Sequence, residues 1–413
     1  MKRNATPTNI YLFIEVAAST FFPMIFVASS LYQVTVAGLT PTQLVLVGTT
    51  LEISAFLFEI PTGIVADIYS RRLSIIIGYF LMGLGFLVEG FFPAFLPILL
   101  AQVIWGLGYT FTSGASQAWI SDEIGEEKAN KLFLRATSVG LYASLLGMAL
   151  AALVGGQNAA LPIRWGGLGI VLIGIVLSLT MPETGFKPTP CENRDPWEQM
   201  LHTFKEGFAA VRARPRLITI LSIGLFYGLY SEGFDRLWVK HIIDTFELPA
   251  FFAGNQIAFF SALKAVGTVM TILVMRPIEN GLDTSKPQAI GRAMLLVTGL
   301  ISASLLGFAF SPILGLTLGA FLLIMILRRV AIPLYTSWVN QKLDSGTRAT
   351  VLSISGQVDA IGQIAGGPSV GLIAKLVSVV AAISTSGLLL SPALFLIGRA
   401  NAQSQEKIEK TGR

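Results

Sequence analysis

The sequence predicts an all-α polytopic membrane protein with twelve transmembrane helices in two six-helix bundles. Three observations carry this reading. Of 413 residues, 53% are hydrophobic and only 13% charged, where a soluble globular chain carries roughly 25% charged residues; the mean hydropathy is +0.69. Lysine and arginine leave long gaps at 4–70, 73–127, 136–163, 165–186, 217–235, 241–263, 293–327, 349–374 and 376–398, and each holds one or two runs near the roughly 20 mainly apolar residues that a spanning helix needs. A short pattern also recurs about half a chain apart.

The first bundle, residues 1–181, contains spans near 9–36, 43–66, 73–92, 96–120, 134–157 and 161–181. The first gap divides at Gly38-Leu39-Thr40-Pro41-Thr42, and the second between Pro93 and Pro97, each giving an out-and-back pair. The first span is longer than a signal-peptide core, lacks a small-residue cleavage pattern and runs straight into a second apolar segment, so it reads as a retained helix.

Residues 182–215 break the apolar pattern with ten charged residues, five of each sign, and with Pro182, Pro188, Pro190, Pro196 and Pro215. Within this linker Asp195 can cap a helix that starts at Pro196. Trp197, Met200, Leu201, Phe204, Phe208 and Val211 recur at helical spacing, which predicts an amphipathic helix on the membrane surface or against the bundle ends. The second bundle, residues 216–413, contains spans near 216–240, 253–276, 288–309, 312–339, 349–373 and 378–399, followed by a short tail.

An even number of spans puts both termini on one side. Lys2, Arg3, Arg71, Arg72, Lys128, Lys131, the bases of the linker, Lys286, Arg292, Lys342, Arg348, Lys407, Lys410 and Arg413 share that side, against Arg164, Lys240 and Lys375 on the other. The positive-inside bias makes it the cytoplasmic one. A bacterial cytoplasmic (inner) membrane is the expected location.

A net charge of +5 would suggest nucleic acid in a soluble protein, but here it follows from basic loops beside anionic lipid. The expected partners are membrane lipid and a small-molecule substrate, with no nucleic acid, and the chain reads as a monomer. Cys191 is the only cysteine, and with His202 and His241 it is too small a set for a zinc or iron–sulfur site. No Gly-x-x-x-x-Gly-Lys-Ser/Thr loop occurs, which argues against directly bound ATP. No cofactor is expected, and a proton gradient is the natural energy source.

The repeat reads Trp119-Ile120-Ser121 then Arg135-Ala136-Thr137-Ser138-Val139 in the first half, and Trp338-Val339-Asn340 then Arg348-Ala349-Thr350-Val351-Leu352 in the second, at offsets of 219 and 213. These pieces fall at equivalent topological places, as paired transporter halves require.

After the second span comes Gly63-Ile64-Val65-Ala66-Asp67-Ile68-Tyr69-Ser70-Arg71-Arg72. It resembles the loop between helices 2 and 3 of the major facilitator superfamily, whose pattern is Gly-x-x-x-Asp-Arg-x-Gly-Arg-Arg or Lys. The chain matches at Gly63, Asp67, Arg71 and Arg72 and departs at Ile68 and Ser70. Small residues allow close helix approach, and arginines anchor at headgroups. The resemblance implies two six-helix bundles with alternating access, and an ion-pair network of Asp67 with Arg71 that holds the cytoplasmic side shut. The corresponding Arg276-Pro277-Ile278-Glu279-Asn280-Gly281 does not reproduce the motif.

Drug exporters of that superfamily carry a glycine- and proline-rich motif in helix 5. Here Gly147, Gly155 and Gly156 match its spacing, but Ala151 and Ala152 stand where Gly-Pro is expected. The eleventh span offers Gly362, Gly366, Gly367, Pro368 and Gly371 for close packing and a bend. Helix 4 of many proton-coupled members has an arginine before a glycine, and Gln102-Val103-Ile104-Trp105-Gly106 lacks it.

Charged side chains inside spans cost about 2.5–3.5 kcal/mol each on insertion scales, so they should face a cavity or a partner. The sequence places ten there: Glu15, Glu52, Glu59, Glu232, Asp235, Arg236, Lys264, Arg328, Arg329 and Asp359. Glu232 and Arg236 are spaced to pair within one helix, and with Asp235 and Lys264 they form a structural set. Glu52 and Glu59 share a helix face, with Pro61 freeing a carbonyl just beyond. Together with Glu15, Asp359, Arg328 and Arg329 they are the candidates for proton coupling or substrate contact. Arg328 and Arg329 point about 100° apart on a helix, so only one can face a cavity fully.

The function predicted is secondary active export of amphipathic small molecules by proton antiport. Proton symport or uniport of a small polar solute is the alternative, and a non-transporting receptor or scaffold the alternative of another class. No constellation of catalytic residues can be built from two histidines, so enzyme activity is not expected.

Overall fold

The first two helices begin where a threonine hydroxyl and a proline meet at a span boundary. In the computed structural model, which describes residues 6–156, 158–188, 205, 209, 211–212, 215–252, 254–281, 287–340 and 345–411, α1 (Pro7–Thr35) starts at Thr6, whose hydroxyl accepts from the Asn9 N–H. α2 (Pro41–Ile64) starts with a capping box, as the Gln43 side chain accepts from the Thr40 N–H at 2.9 Å and the Thr40 hydroxyl accepts from the Gln43 N–H. Its last turn widens into a π-helix at Val65–Tyr69. Ser70 then caps α3 (Arg71–Phe91).

The chain forms two compact units, residues 1–192 with 247–265, and residues 193–246 with 266–413. The first unit continues through α4 (Phe95–Thr112), α5 (Ala115–Ile124), α6 (Glu126–Gly155) and α7 (Ala160–Thr180). α3 packs along α4 and α7, α1 along α6 and α7, and α2 along α4. The stretch 247–265 joins this unit through Asn255, whose amide donates to the Ala152 carbonyl at 2.8 Å, and through Ile257, which packs on Gly155.

The second unit comprises α8 (Pro215–Thr245), the later part of α9 (Gln256–Gly281), α10 (Pro287–Phe310), α11 (Leu314–Asn340), α12 (Ser345–Leu376), α13 (Val379–Leu388) and α14 (Ser391–Thr411). α8 packs along α12, and α10 along α11. Glycines make the first of these contacts possible. A Cβ on Gly228 would overlap the Asp359 carbonyl, and Cβ atoms on Gly362 and Gly366 would overlap the carbonyls of Leu225 and Leu229.

Eleven helical segments among the described residues are long and apolar enough to cross a membrane, so the protein is an integral membrane protein. The predicted span 349–373 is helical too, within α12, but Gln357, Asp359, Gln363 and its glycines lower its apolarity. The predicted fourth span is broken at Gly114, which takes φ +71° between α4 and α5. The last is broken between Leu388 and Ser391.

Some glycine roles need correction. Gly63 has open space around its Cβ position and brings no helices together. Gly156 packs against nothing either; it takes φ +43° and ends α6. Gly147 does allow a close approach, to the Thr20 carbonyl of α1, and Gly155 faces Ile257. α12 runs through Pro368 without a break. The repeat tryptophans are equally buried but differ in contact: Trp119 and Trp338 are each 1% exposed, and Trp119 Nε1 donates to the Pro182 carbonyl at 2.7 Å, whereas Trp338 Nε1 has no hydrogen-bond partner among the described residues. Cys191, His202 and the apolar residues Trp197, Met200, Leu201, Phe204 and Phe208 of the predicted linker helix lie outside the described residues, as do the side chains of Arg276, Glu279 and Arg348.

Candidate functional site

Three helices of the second unit each turn one face to a common cavity of about 430 Å³. α8 contributes Gly224, Tyr227, Ser231 and Asp235, α11 contributes Arg328, Ile332, Tyr335 and Val339, and α12 contributes Leu352, Ser355, Asp359 and Gln363. Each set recurs every three or four residues, which is the spacing of one helical stripe.

Arg328 reaches across from α11 to α8 and donates two parallel hydrogen bonds to Asp235, Nη1 to Oδ1 at 2.5 Å and Nη2 to Oδ2 at 2.7 Å. Its guanidinium also lies 5.7 Å from the Tyr230 ring centroid. Tyr230 meets Tyr227 edge to face at 5.7 Å, and Tyr227 lies at 25° to Tyr335 with centroids 6.5 Å apart. Hydrogen bonds fix these rings. The Tyr227 hydroxyl is 2.6 Å from Thr298 Oγ1, and the Tyr335 hydroxyl donates to the Ile220 carbonyl at 3.2 Å while pairing with Ser355 at 3.1 Å. Asp359 accepts from Gln363 at 2.8 Å, one turn along its own helix.

The structure therefore brings Asp235, Arg328 and Asp359 together and leaves out Arg329, which is exposed and has no hydrogen bond or ion pair among the described residues. Glu232 is 2% exposed and holds Arg236 at 2.8 Å within α8. Lys264 belongs to the first unit.

In the first unit, Glu52 and Glu59 of α2 are both half-buried and both interact electrostatically with Tyr109 of α4. The Glu59 carboxyl has no hydrogen bond or ion pair among the described residues. Glu15 accepts from Ser19 at 3.3 Å and lies against Gly140 of α6, where a larger residue would strike the carboxyl.

Glu89 is the buried charge that sequence reasoning passes over. It is 1% exposed and accepts hydrogen bonds from Ser29, from Gln33 Nε2 at 2.8 Å and from Gln102 Nε2 at 3.4 Å. Its place two residues before the end of α3 makes it look like an interfacial charge. The available signal was Gln33 and Gln102, two amides inside apolar spans.

At the α2–α3 connection, Arg71 pairs with Asp122 of α5 and approaches Asp67 at 3.7 Å, and its guanidinium lies 5.7 Å from the Phe186 ring centroid. Glu183 accepts from the Ser70 hydroxyl at 2.6 Å and from the Arg72 N–H at 2.9 Å, so its carboxylate sits on the N-terminus of α3. Arg72 donates to the Ser178 carbonyl at 2.7 Å. Asp122 and Glu183 belong to this cluster although the loop pattern alone does not contain them.

Known proteins share both the sequence pattern and the fold. A family model described as Major Facilitator Superfamily matches residues 10–367. The chain is similar to a Bacillus subtilis (strain 168) protein named as the uncharacterized MFS-type transporter YxaM, at 25% identity over 359 residues, 86% of this chain and 85% of that one. Among solved structures, a mutant form of the nucleoside transporter NupG aligns with a TM-score of 0.78 at 14% identity, over 97% of this chain and all of that one. A bacterial homolog of the human lysosomal transporter Spinster aligns with a TM-score of 0.71 at 15% identity, over 98% of this chain and 97% of that one. At these identities the structures speak for the fold alone.

Proposed function

The chain belongs to the major facilitator superfamily and is a membrane transporter rather than an enzyme, and from that premise we propose that it exports amphipathic, ring-bearing small molecules in exchange for protons. The observation that carries this reading is the cavity of the second unit, where three phenol rings form one wall and Asp359 stands among them. Aromatic rings accept the apolar body of a ligand, while fixed hydroxyls and a carboxyl orient its polar end. Asp359 is the proposed proton-exchanging group, with Glu59 the corresponding candidate in the first unit. Both termini are proposed to be cytoplasmic, in a bacterial inner membrane, and the transporter to work as a monomer.

Proton symport of a small polar solute is the second reading. It is favoured by the hydroxyls of Ser231, Ser355 and Tyr335 on the same cavity.

The test is transport by the purified protein in proteoliposomes under an imposed pH gradient, against a panel of ring-bearing amphipathic compounds. Substrate should move opposite to the proton, and Asp359→Asn should abolish pH-driven movement. Movement with the proton would select symport. If Glu59→Gln and Asp359→Asn both retain wild-type pH dependence, neither carboxyl couples.

A further inference from the structure

We infer that the cavity of the second unit binds an organic cation, with Asp359 as its counter-charge and the tyrosine rings as its wall. This rests on reading that cavity as the substrate site.

The charge census comes first. The cavity lining contains two acids, Asp235 and Asp359, and one base, Arg328. Arg328 is committed to Asp235 by two parallel hydrogen bonds of 2.5 and 2.7 Å, so these two charges largely satisfy each other. Among the described residues the one hydrogen bond that the Asp359 carboxyl accepts comes from the neutral amide of Gln363 on its own helix, and Arg328 acts on it only through space while bonded to Asp235. Facing it, α8 brings Tyr227, Tyr230, Ser231 and Asp235, and α11 brings Arg328 and Tyr335. The nearby Glu232 is bound to Arg236. With Asp359 ionised, the lining carries one net negative charge inside an apolar bundle, where a charge calls for a partner.

Ring chemistry points the same way. Tyrosine faces attract cations through their quadrupole, most strongly where water is excluded, and the Arg328 guanidinium already uses the Tyr230 ring at 5.7 Å. A bare metal ion is disfavoured, since no group of three or more metal-ligating side chains is assembled among the described residues. An anion would meet Asp359 with Arg328 already occupied, and a neutral molecule would leave the net charge unmatched. About 430 Å³ accommodates a monocation with one or two rings.

The test uses three probes on the purified full chain in detergent, titrated calorimetrically at pH 7.5: benzyltrimethylammonium, its uncharged carbon isostere neopentylbenzene, and benzenesulfonate. The quaternary ammonium cannot titrate, so any pH effect belongs to the protein. The cation should bind at least about tenfold more tightly than the other two, the weight of one charge-assisted contact. Asp359→Asn should weaken the cation by about tenfold or more, and Asp359→Glu should restore part of the loss. Lowering the pH toward 5 should weaken the cation in the wild type and in Asp359→Glu, but not in Asp359→Asn.

Equal affinity for the isostere, preference for the sulfonate, unchanged binding in Asp359→Asn, or binding of none of the three overturns the inference. The wild-type comparison decides the matter even if a variant fails to fold. The pH-gradient flux experiment is independent of it. Proton-driven transport of neutral compounds without cation preference would overturn the cation site and leave proton coupling standing, and cation binding without proton-driven flux would overturn proton coupling and leave the cation site standing.

Discussion

Arg328 on α11 grips Asp235 on α8 with both of its terminal nitrogens, a pairing across 93 residues of sequence that ties two helices of one unit together at the cavity. Both side chains keep partial exposure, 30% for Arg328 and 41% for Asp235, so the pair is less costly to break than a fully enclosed one.

Breaking it from one side leaves the other charge unmatched. Arg328→Met or Asp235→Asn should lower stability by about 1–2 kcal/mol, below the 3–5 kcal/mol of a fully buried pair because both groups open onto the cavity. The double variant should recover part of the loss. Thermal unfolding of the purified variants checks this, and additive losses would show that the two residues do not act together.

Gly228→Ala should be more disruptive than an exposed glycine substitution, because the new methyl would overlap the Asp359 carbonyl. Overpacking of this kind costs about 1–3 kcal/mol, and relief requires α12 to move away from α8. The expected result is a lower melting temperature together with altered ligand affinity at Asp359. Gly307→Ala, with open space around its Cβ position, is the control.

Glu89→Gln keeps the size of the side chain but replaces one carboxylate oxygen by an amide NH₂: Ser29 and Gln33 both donate to Oε1 and can keep an amide oxygen there, whereas Gln102, which donates to Oε2, then faces a donor. At least one donor loses its acceptor, at a cost of about 1–3 kcal/mol. Unfolding measurements should show that loss, and Glu89→Gln as stable as the wild type would mean the amide finds an equivalent arrangement.

In the α2–α3 connection the strength of contact sets the order of effect. Asp67 is 59% exposed and stands 3.7 Å from Arg71, whereas Asp122 is less exposed and in closer contact. Asp122→Asn should therefore reduce flux in proteoliposomes more than Asp67→Asn, with expression and folding largely kept. The opposite order would assign the main role to Asp67.

Much of the architecture was legible because a bilayer imposes a simple rule. Spans must be about 20 apolar residues long and bases collect between them, so the spacing of lysine and arginine located the helices. The splits at Gly114 and after Leu388 were not anticipated, although Thr112-Ser113-Gly114 and Ser391-Pro392 interrupt the apolar runs there, because span length alone is satisfied by an unbroken helix. Of the site, the residue types were readable as charges out of place in apolar spans. Their partners were not: Arg328 could have faced Asp359, a carboxylate across the bundle or a ligand, and only the angular position of α11 against α8 directs it to Asp235.

By itself, the sequence determined that this is a helical membrane protein with a two-fold repeated plan and a handful of charges inside its spans, because hydropathy and charge spacing are one-dimensional properties. Which of those charges meet was decided by tertiary structure alone. Helix rotation and close approach depend on how side chains interlock, and glycines such as Gly228, Gly362 and Gly366 act only through the backbone that comes to lie against them.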